Sequence, residues 1–445
     1  MKKIISLTFV LVICATLFMG CSSKKTGGKV KITVPDRALT EQGANLFTKQ
    51  KQEEFDKLYG DEIEVQHILP YASSDENNTQ NIAALLLGND APAYVSVSST
   101  IYMKELYNMG LVADISKYVK EDKEFEKISS NAVESCTYSD GKIIAYPTNL
   151  EVPMLGFYNK NLKDAGYNPE NFTCSTWDDY FNAAKKMTTA SCKGSSIYAS
   201  EFFLWPQNWI LSNGGQVALQ NSDGTISLNY TDKKVVQAVE FLRKLYSEGL
   251  TNTNIGSADV NSMLSMIYQQ KVASFTMYPT WISRFYEQGI DPSEITICEF
   301  PTGPSGESEP VMYVAGYIFN SKLSEEEIKA AIKYVSFMNS EETQNEKYKF
   351  YADNGIDGLT ISCVKGVDWT VNLSNFPKQW INRVKETIEK AKDNQVNSTG
   401  YATYISAKLP EIIQGKGDIT KSLKDAEALT KKEWLDDYNK NTKAK

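Results

Sequence analysis

The residue types that enzymes most often use for catalysis are sparse or unpatterned in this sequence. The chain has one histidine, His67, which lies in an alternating strand pattern and is expected to be structural. The spacings of a nucleophile elbow, of an H-E-x-x-H zinc helix and of a phosphate-binding loop are absent. A glycosidase needs only two suitably separated carboxylates, but no pair stands out, since Asp178 and Asp179 are typical first-turn acids of a helix after Thr176. We therefore predict no catalytic residue, no metal site and no cofactor.

Aromatic side chains indicate binding instead of catalysis. The chain has 25 tyrosines, and tryptophans cluster at Trp205 and Trp209, with another at Trp281. Sugar rings offer C–H surfaces that stack on aromatic faces, and their hydroxyls need fixed polar partners that discriminate between epimers. These residues favour a carbohydrate site, in which one of Trp205 and Trp209 faces a cleft and the other packs inward. Phe202 and Phe203 are alternatives for the same stacking surface.

Charge and cysteine content exclude other classes. The formal net charge is −8, which opposes nucleic-acid binding because that function needs a basic surface. The seven cysteines show no C-x-x-C spacing, which argues against a disulfide framework or a zinc site. We expect small buried thiols; Cys174 and Cys192, which flank one predicted helix, are the only pair to test for a disulfide.

Strand-like and helix-like segments alternate from residue 29 onward. The pattern predicts strands over 30–34, 63–69 and 93–97, with helices over about 43–59 and through 82–87. Such alternation is typical of βαβ units and predicts an α/β fold with mainly parallel sheets. The length of 445 residues exceeds what one hydrophobic core usually serves, so two lobes are expected.

The ends of two predicted strands supply candidate ligand contacts. In open α/β sheets, ligands bind beyond the carboxyl ends of the strands. Ser98 and Ser99 follow the third strand, and Asp36 and Arg37 follow the first. We predict that these four side chains face the ligand.

The first residues have the pattern of a secretory signal that ends at a lipid-attachment site. Two lysines precede the mostly apolar run 4–20, and Cys21 follows. The junction resembles a bacterial lipobox, in which this cysteine is diacylated, and two acyl chains give stable membrane attachment. We predict a lipoprotein signal peptide over 1–20 and a flexible tether over 21–29; the alternative is an uncleaved membrane anchor. Removal of residues 1–20 takes away two lysines, so the mature formal charge becomes −10.

Three motifs follow one another in the middle of the chain. They are G-K-I-I-A-Y-P at 141–147, Y-N-K-N-L at 158–162 and T-W-D-D at 176–179. Their order and gaps are similar to those of the extracellular solute-binding protein family that includes the maltose-binding protein. Further stretches resemble the family along nearly the whole mature chain, including W-P at 205–206 and the strand-like 271–277 before Trp281.

This resemblance implies an architecture and a role. The fold would be a two-lobed, periplasmic-binding-protein-like clamp (type II) that closes around its ligand by hinge bending. Residues 30–147 and 314–362 would form lobe 1, and residues 148–311 and 366–445 would form lobe 2. The protein would be a monomeric, lipid-anchored sugar receptor on the extracellular face of a Gram-positive membrane, and would deliver its ligand to the permease of an ABC importer.

The resemblance also implies site residues. Trp281 occupies the position of a stacking tryptophan, and Glu151 matches a carboxylate that accepts hydrogen bonds from sugar hydroxyls. Tyr313 and Tyr317 flank the second crossing between the lobes, and Tyr401 matches a C-terminal aromatic residue.

Three other functions remain open at this stage. A peptide or other polar solute would need a charge-matching residue in the cleft, and Asp36 and Arg37 keep that alternative open. A secreted carbohydrate-active enzyme would need two facing carboxylates. A structural or adhesive lipoprotein without a ligand would bury the aromatic residues in its core.

Overall fold

A computed structural model describes residues 28–443 except 37, 39, 70–78, 258, 357–358, 372, 374–375, 394–395 and 397. The predicted signal peptide, nearly all of the tether, Cys21 and Arg37 therefore lie outside the described residues.

The described chain alternates between strands and helices. Its strands are β1 (Val30–Val34), β2 (Ile63–His67), β3 (Tyr94–Val97), β4 (Tyr146–Glu151), β5 (Met154–Tyr158), β6 (Ala218–Gln220), β7 (Ile226–Leu228), β8 (Ser274–Met277), β9 (Ile295–Cys298), β10 (Tyr313–Phe319) and β11 (Ile361–Ser362). Its helices are α1 (Gly43–Tyr59), α2 (Thr79–Leu87), α3 (Thr100–Asn108), α4 (Ser116–Val119), α5 (Ser130–Ser135), α6 (Asn159–Asp164), α7 (Trp177–Met187), α8 (Pro206–Leu211), α9 (Lys233–Ser247), α10 (Val260–Tyr268), α11 (Ile282–Glu287), α12 (Glu325–Met338), α13 (Glu341–Asp353), α14 (Lys378–Lys390), α15 (Gly400–Gln414), α16 (Ile419–Thr430) and α17 (Asp436–Lys443).

The first sheet is built from β1, β2, β3, β4, β10 and β11. β1 and β2 pair in parallel, and the other four strands follow the order β11-β4-β10-β3. A backbone hydrogen bond from Ala93 N to Thr33 O, 2.8 Å long, joins the two groups of strands. Helices α1 and α12 pack against the β1 and β2 side, and α3 packs against β3 and β10.

The second sheet has the order β8-β5-β9, and a separate hairpin pairs β6 with β7. The chain passes from the first sheet to the second between Glu151 and Met154, and returns between β9 and β10. After β11 it leaves the first sheet again, and α14 packs against β9. The chain thus moves between the two sheets three times. Because it does so, residues distant in sequence meet between them.

The expectation of mainly parallel sheets is wrong for the described strand pairs. Only β1 and β2 pair in parallel, while β10 runs antiparallel to β3 and β4, and β5 runs antiparallel to β8 and β9. The reason is topological: β10 re-enters the first sheet from the second, and therefore runs against the strands already there. Local alternation of strands and helices does not reveal this return.

Helix α7 begins after Thr176, as the sequence predicts, and two helices begin with a capping box. Ser324 and Glu327 make a reciprocal capping box at the start of α12, and Thr176 and Asp179 make another at the start of α7. Each pair satisfies backbone N–H groups that have no partner within the helix. Asp178 and Asp179 are therefore helix-start residues in the structure.

The pairing of β10 with β4 depends on one glycine. The register between these strands shifts between Ala315 and Gly316. A Cβ atom at Gly316 would lie 2.6 Å from the backbone oxygen of Tyr146, so only glycine fits between the strands.

Replacing Ser324 by alanine is expected to lower the free energy of unfolding by about 1 kcal/mol, because α12 loses its N-cap acceptor. Chemical denaturation of the two proteins measures the difference. Ser324→Thr, which keeps a capping hydroxyl, is the matched control. Equal stability of all three proteins would contradict the assigned role of the cap.

Candidate functional site

Three aromatic side chains meet where the chain leaves β8 and where β10 begins. Tyr278 directly follows β8, Trp281 ends the short 3-10 turn Pro279–Trp281, and Tyr313 is the first residue of β10. The ring centroids of Tyr278 and Trp281 are 4.9 Å apart, and those of Tyr278 and Tyr313 are 5.9 Å apart. Tyr278 and Tyr313 are buried, whereas Trp281 keeps part of its ring exposed. We call Tyr278, Trp281 and Tyr313 the aromatic group.

A carboxylate lies beside the aromatic group. Glu151, at the end of β4, is the strand partner of Tyr313. Its side chain is partly buried, and among the described residues its carboxylate has no hydrogen-bond partner. Burial raises the pKa of the Glu151 carboxyl to about 8, and the positive charge of Arg284 opposes that shift. The site therefore offers an unused hydrogen-bonding carboxyl next to aromatic rings.

A cation borders the same group. The guanidinium carbon of Arg284, on α11, lies 5.7 Å from the ring centroid of Trp281. The Arg284 side chain is exposed, so this contact is a cation–π interaction at a solvent-accessible edge of the site.

Tyr102 brings helix α3 to this site. Burial raises the pKa of the Tyr278 phenol most, Tyr313 and Glu151 raise it further, and Tyr102 adds to the shift. Tyr102 is itself partly buried, and burial followed by the negative charges of Glu105 and Glu201 raises its pKa. Because α3 packs on the first sheet and Tyr278 follows the second, residues associated with both sheets contribute to the electrostatics of the site.

Trp205 and Trp209 lie in the hydrophobic core. They are 1% and 0% exposed, and the Trp209 ring packs against Tyr180, Phe241 and Phe300 at centroid distances of 4.7–5.3 Å. The two tryptophans also contact each other at 5.8 Å. Neither ring presents a free face, so we do not include them in the candidate site.

Tyr401 connects to the aromatic group through Phe203. Its ring is edge-on to Phe203 at 5.9 Å and to Phe202 at 6.1 Å, and it is 2% exposed. The backbone oxygen of Phe203 accepts a hydrogen bond from the Tyr313 hydroxyl, 2.9 Å long. Tyr401 thus packs against Phe203, the residue whose backbone oxygen is hydrogen-bonded to Tyr313 of the aromatic group.

Asp36 is the centre of a polar cluster at the end of β1. Its carboxylate is 2.7 Å from His67 Nδ1 and accepts hydrogen bonds from the hydroxyls of Tyr94 and Tyr334. The ring of Tyr317 lies 4.7 Å from that of Tyr94. The structure therefore places Asp36 and Tyr317 in one cluster. His67, which the sequence predicts to be structural, forms a hydrogen bond with the Asp36 carboxylate.

Ser98 and Ser99 lie between β3 and α3. Ser98 is exposed, while Ser99 is buried and precedes α3 without capping it. The Ser99 hydroxyl has no hydrogen-bond partner in the part of the chain that the structure describes. Both residues lie on the segment that leads to Tyr102.

Strand β10 separates the two clusters. Tyr313 belongs to the aromatic group and Tyr317 to the Asp36 cluster, and four residues of strand span about 13 Å. The predicted residues therefore fall into two neighbouring groups rather than one.

Several residues at the site were not predicted from the sequence. Tyr278 had a usable signal, since it lies three residues before Trp281 at the end of a predicted strand. Tyr102 and Arg284 are helix residues without a distinctive spacing. Tyr334 reaches Asp36 from 298 positions away in the chain, and no local pattern predicts that contact.

Groupings of metal ligands, disulfides and helices able to span a membrane are missing from the described residues. No group of three or more His, Cys, Asp or Glu side chains there is arranged to hold a metal ion. The five cysteines within this part are buried and free, including Cys174 and Cys192. None of its helices combines the length and the apolar character that crossing a bilayer requires.

The comparison with protein families identifies the class of protein. The model of the bacterial extracellular solute-binding protein family matches residues 40–345, which is more than half of the chain. The chain belongs to this family. No curated protein sequence matches it.

Solved structures show the same two-lobed fold at low sequence identity. The cyclic alpha-maltosyl-1,6-maltose binding protein from Arthrobacter globiformis is 16% identical with a TM-score of 0.70, and the match covers 94% of this chain and 100% of that one. The ABC substrate-binding protein Lmo0181 from Listeria monocytogenes, in complex with cycloalternan, is 18% identical with a TM-score of 0.69 over 91% and 98%. UgpB from Mycobacterium tuberculosis, in complex with glycerophosphocholine, is 14% identical with a TM-score of 0.69 over 91% and 98%. The predicted fold class and family are thereby confirmed.

The raised pKa of Glu151 predicts how stability depends on pH. The carboxyl has a folded pKa of about 8 against an ordinary value of 4.5, so the folded state holds its proton more tightly than the unfolded chain. Its contribution to stability is complete below pH 4.5 and is lost as the pH rises to 8. Glu151→Gln is therefore expected to remove part of the fall in Tm between pH 5 and 8.

Thermal unfolding across pH 5–9 tests this expectation. Glu342→Gln, at an exposed position of α13, serves as the control and should keep the wild-type profile. Parallel profiles for Glu151→Gln and the wild type would show that Glu151 does not titrate in this range.

Proposed function

We propose that this protein is a lipid-anchored substrate-binding protein of an ABC importer, which captures a mono- or oligosaccharide between two lobes and delivers it to the permease. Cys21 would carry the lipid, and the body would lie on the extracellular face of the membrane as a monomer. The membership of the family supports the solute-binding role. The lipobox and the apolar run before it support the anchor.

The juxtaposition of Glu151 with the aromatic group is the observation that carries the sugar proposal. A partly exposed Trp281 supplies a surface for stacking on the C–H face of a sugar ring. Glu151, without a protein partner among the described residues, supplies a hydrogen-bond acceptor when ionised. Stacking gives affinity, and the polar partner selects among hydroxyl geometries.

The passages of the chain between the two sheets support a clamp. We propose lobe 1 as residues 30–147 and 314–362, and lobe 2 as residues 148–311 and 366–445. Tyr102 approaches the site from lobe 1, while Tyr278 and Trp281 approach from lobe 2. A ligand that touches both sides stabilises the closed arrangement by its extra contacts there.

The ligands of structurally similar proteins favour a carbohydrate. The Arthrobacter protein binds a cyclic maltose derivative, and the Listeria protein was solved with cycloalternan. A second candidate is a charged polar solute, because Arg284 borders Trp281 and the Mycobacterium protein holds glycerophosphocholine. We propose the sugar as the ligand and binding without catalysis as the function.

A thermal-shift screen of the protein against sugars, peptides and phosphodiesters tests the proposal. A ligand present at 100 times its Kd stabilises the folded state by about 2.7 kcal/mol. We expect saccharides to raise Tm and to be recovered intact. A shift with peptides or glycerophosphocholine alone would favour the second candidate, and recovery of cleaved sugar would identify an enzyme.

Removing the Trp281 ring is expected to weaken saccharide binding by roughly 10- to 100-fold, which corresponds to about 1.4–2.8 kcal/mol. The reason is that Trp281→Ala deletes the exposed stacking surface, while little of the core changes. Isothermal titration calorimetry with the sugar found in the screen measures the loss.

The matched control for this experiment is Trp209→Phe, which changes a tryptophan of the core and keeps an aromatic ring there. We expect it to lower Tm and to leave the affinity close to that of the wild type. Unchanged affinity of Trp281→Ala would remove Trp281 from the site.

A further inference from the structure

Helix α3 is hydrogen-bonded through one face to the C-terminal part of the chain. Thr100, Lys104 and Asn108 are spaced by four residues, so they lie on the same side of the helix over about 12 Å. Each makes a hydrogen bond to a residue beyond position 390. The helix packs on β3 and β10 of the first sheet, so these bonds reach away from its own sheet.

The first contact of this face is a buried ion pair. Lys104 Nζ lies 3.0 Å from Asp393 Oδ2, and the two side chains are 9% and 7% exposed. Thr100 donates to the same carboxylate oxygen over 3.2 Å. The neighbouring Lys392 bonds through its backbone to Pro310 and Met312, and therefore holds Asp393 beside the passage of the chain into β10.

The far contact is a neutral hydrogen bond at a partly exposed place. Asn108 Nδ2 donates to the Tyr438 hydroxyl over 3.3 Å, and the hydroxyl of Tyr138 donates to Asn108 Oδ1 over 2.9 Å. The Tyr138 bond fixes the orientation of the amide. Asn108 and Tyr438 are both partly exposed, so water can replace their bond.

Helix α17, which carries Tyr438, is hydrogen-bonded to the β6–β7 hairpin. The Asn439 side chain accepts from Ile226 N over 2.8 Å and donates to Ile226 O over 2.9 Å, which ties α17 to β7. Between the two ends of α3, the Thr399 hydroxyl donates to the carboxylate of Glu105 over 3.1 Å. Helix α3 is thus bonded to lobe 2 as proposed above at three places, namely Asp393, Thr399 and Tyr438.

We propose that α3 works as a pivot at its middle and as a latch towards its C-terminal end. The Lys104–Asp393 pair is the pivot: it is buried next to a passage between the lobes, and breaking a buried ion pair is strongly destabilising. The Glu105–Thr399 and Asn108–Tyr438 bonds are the latch: they follow Lys104 along α3 and exchange with water at small cost. The latch holds the lobes in the closed arrangement and releases them without disturbing the pivot.

This arrangement also links the latch to the ligand. Tyr102, which interacts electrostatically with Tyr278, lies on α3 two residues before the Lys104 pivot. A ligand that holds Tyr102 against the aromatic group therefore favours the position of α3 in which the latch forms. The inference rests on the proposed two-lobe division and not on the identity of the ligand.

Distance measurements between spin labels on the two lobes test the latch in the ligand-free protein. Lys57→Cys on α1 and Lys163→Cys on α6 provide exposed labelling positions, and Cys14→Ser and Cys21→Ser remove the cysteines outside the buried set. The latch variant combines Tyr438→Phe with Thr399→Val. We expect at least a twofold larger population at long inter-label distance, with an unchanged circular dichroism spectrum.

The control is Tyr404→Phe, which removes a hydroxyl that bonds to Glu433 within the C-terminal helices. It should keep the parent distance distribution. A latch variant with the parent distribution would overturn the latch.

Lys104→Met is expected to lower Tm clearly, or to prevent folding, and an unchanged Tm would overturn the pivot. Because no ligand is added, these outcomes are independent of the sugar proposal.

Discussion

The antiparallel pairing of β10 with β4 is the interaction on which the rest of the site depends. It places Tyr313 opposite Glu151 and carries Tyr317 to the Asp36 cluster about 13 Å farther along. Both strands lie next to passages of the chain between the sheets. The pairing therefore fixes the carboxylate, one ring of the aromatic group and the connection between the lobes with one set of backbone hydrogen bonds.

The chemistry of the site follows from an incomplete burial. Glu151 is shielded enough for its pKa to rise to about 8, yet its carboxylate has no hydrogen-bond partner in the described chain. A buried polar group without a partner costs stability, and natural proteins keep such groups where function needs them. Trp281 shows the same compromise, because part of its ring stays exposed beside buried Tyr278. A bound ligand would supply a hydrogen-bond partner for Glu151 and cover the exposed part of the Trp281 ring.

The sequence predicts those features whose signal is local. The helix starts at Thr176 and Ser324 form because a capping box needs only four consecutive residues. The strand and helix at Val30–Val34 and Gly43–Tyr59 form where the hydrophobic pattern places them. The expectation of mainly parallel sheets fails at β10, because the direction of that strand depends on the path of the preceding chain and not on its own residues.

The candidate site also combines features that the sequence predicts with features that only the folded chain reveals. Residue type alone does not separate Trp209, which is fully buried, from Trp281, which keeps an exposed face. What separates them is the packing of Tyr180, Phe241 and Phe300 around Trp209. The hydrogen bond between Tyr334 and Asp36 closes a loop of 298 residues, and only the folded chain reveals it. The resemblance to the family singled out Glu151 as a candidate ligand contact, which physical reasoning from composition did not.

The glycine at position 316 has an evolutionary consequence. Any side chain there would push against the backbone of Tyr146 and separate the strands on which the site is built. Substitutions elsewhere on β10 can change the shape of the ligand surface and so diversify specificity among descendants. Position 316 would stay glycine throughout such a lineage. Adaptation to new solutes would occur through substitutions at the neighbouring positions of β10.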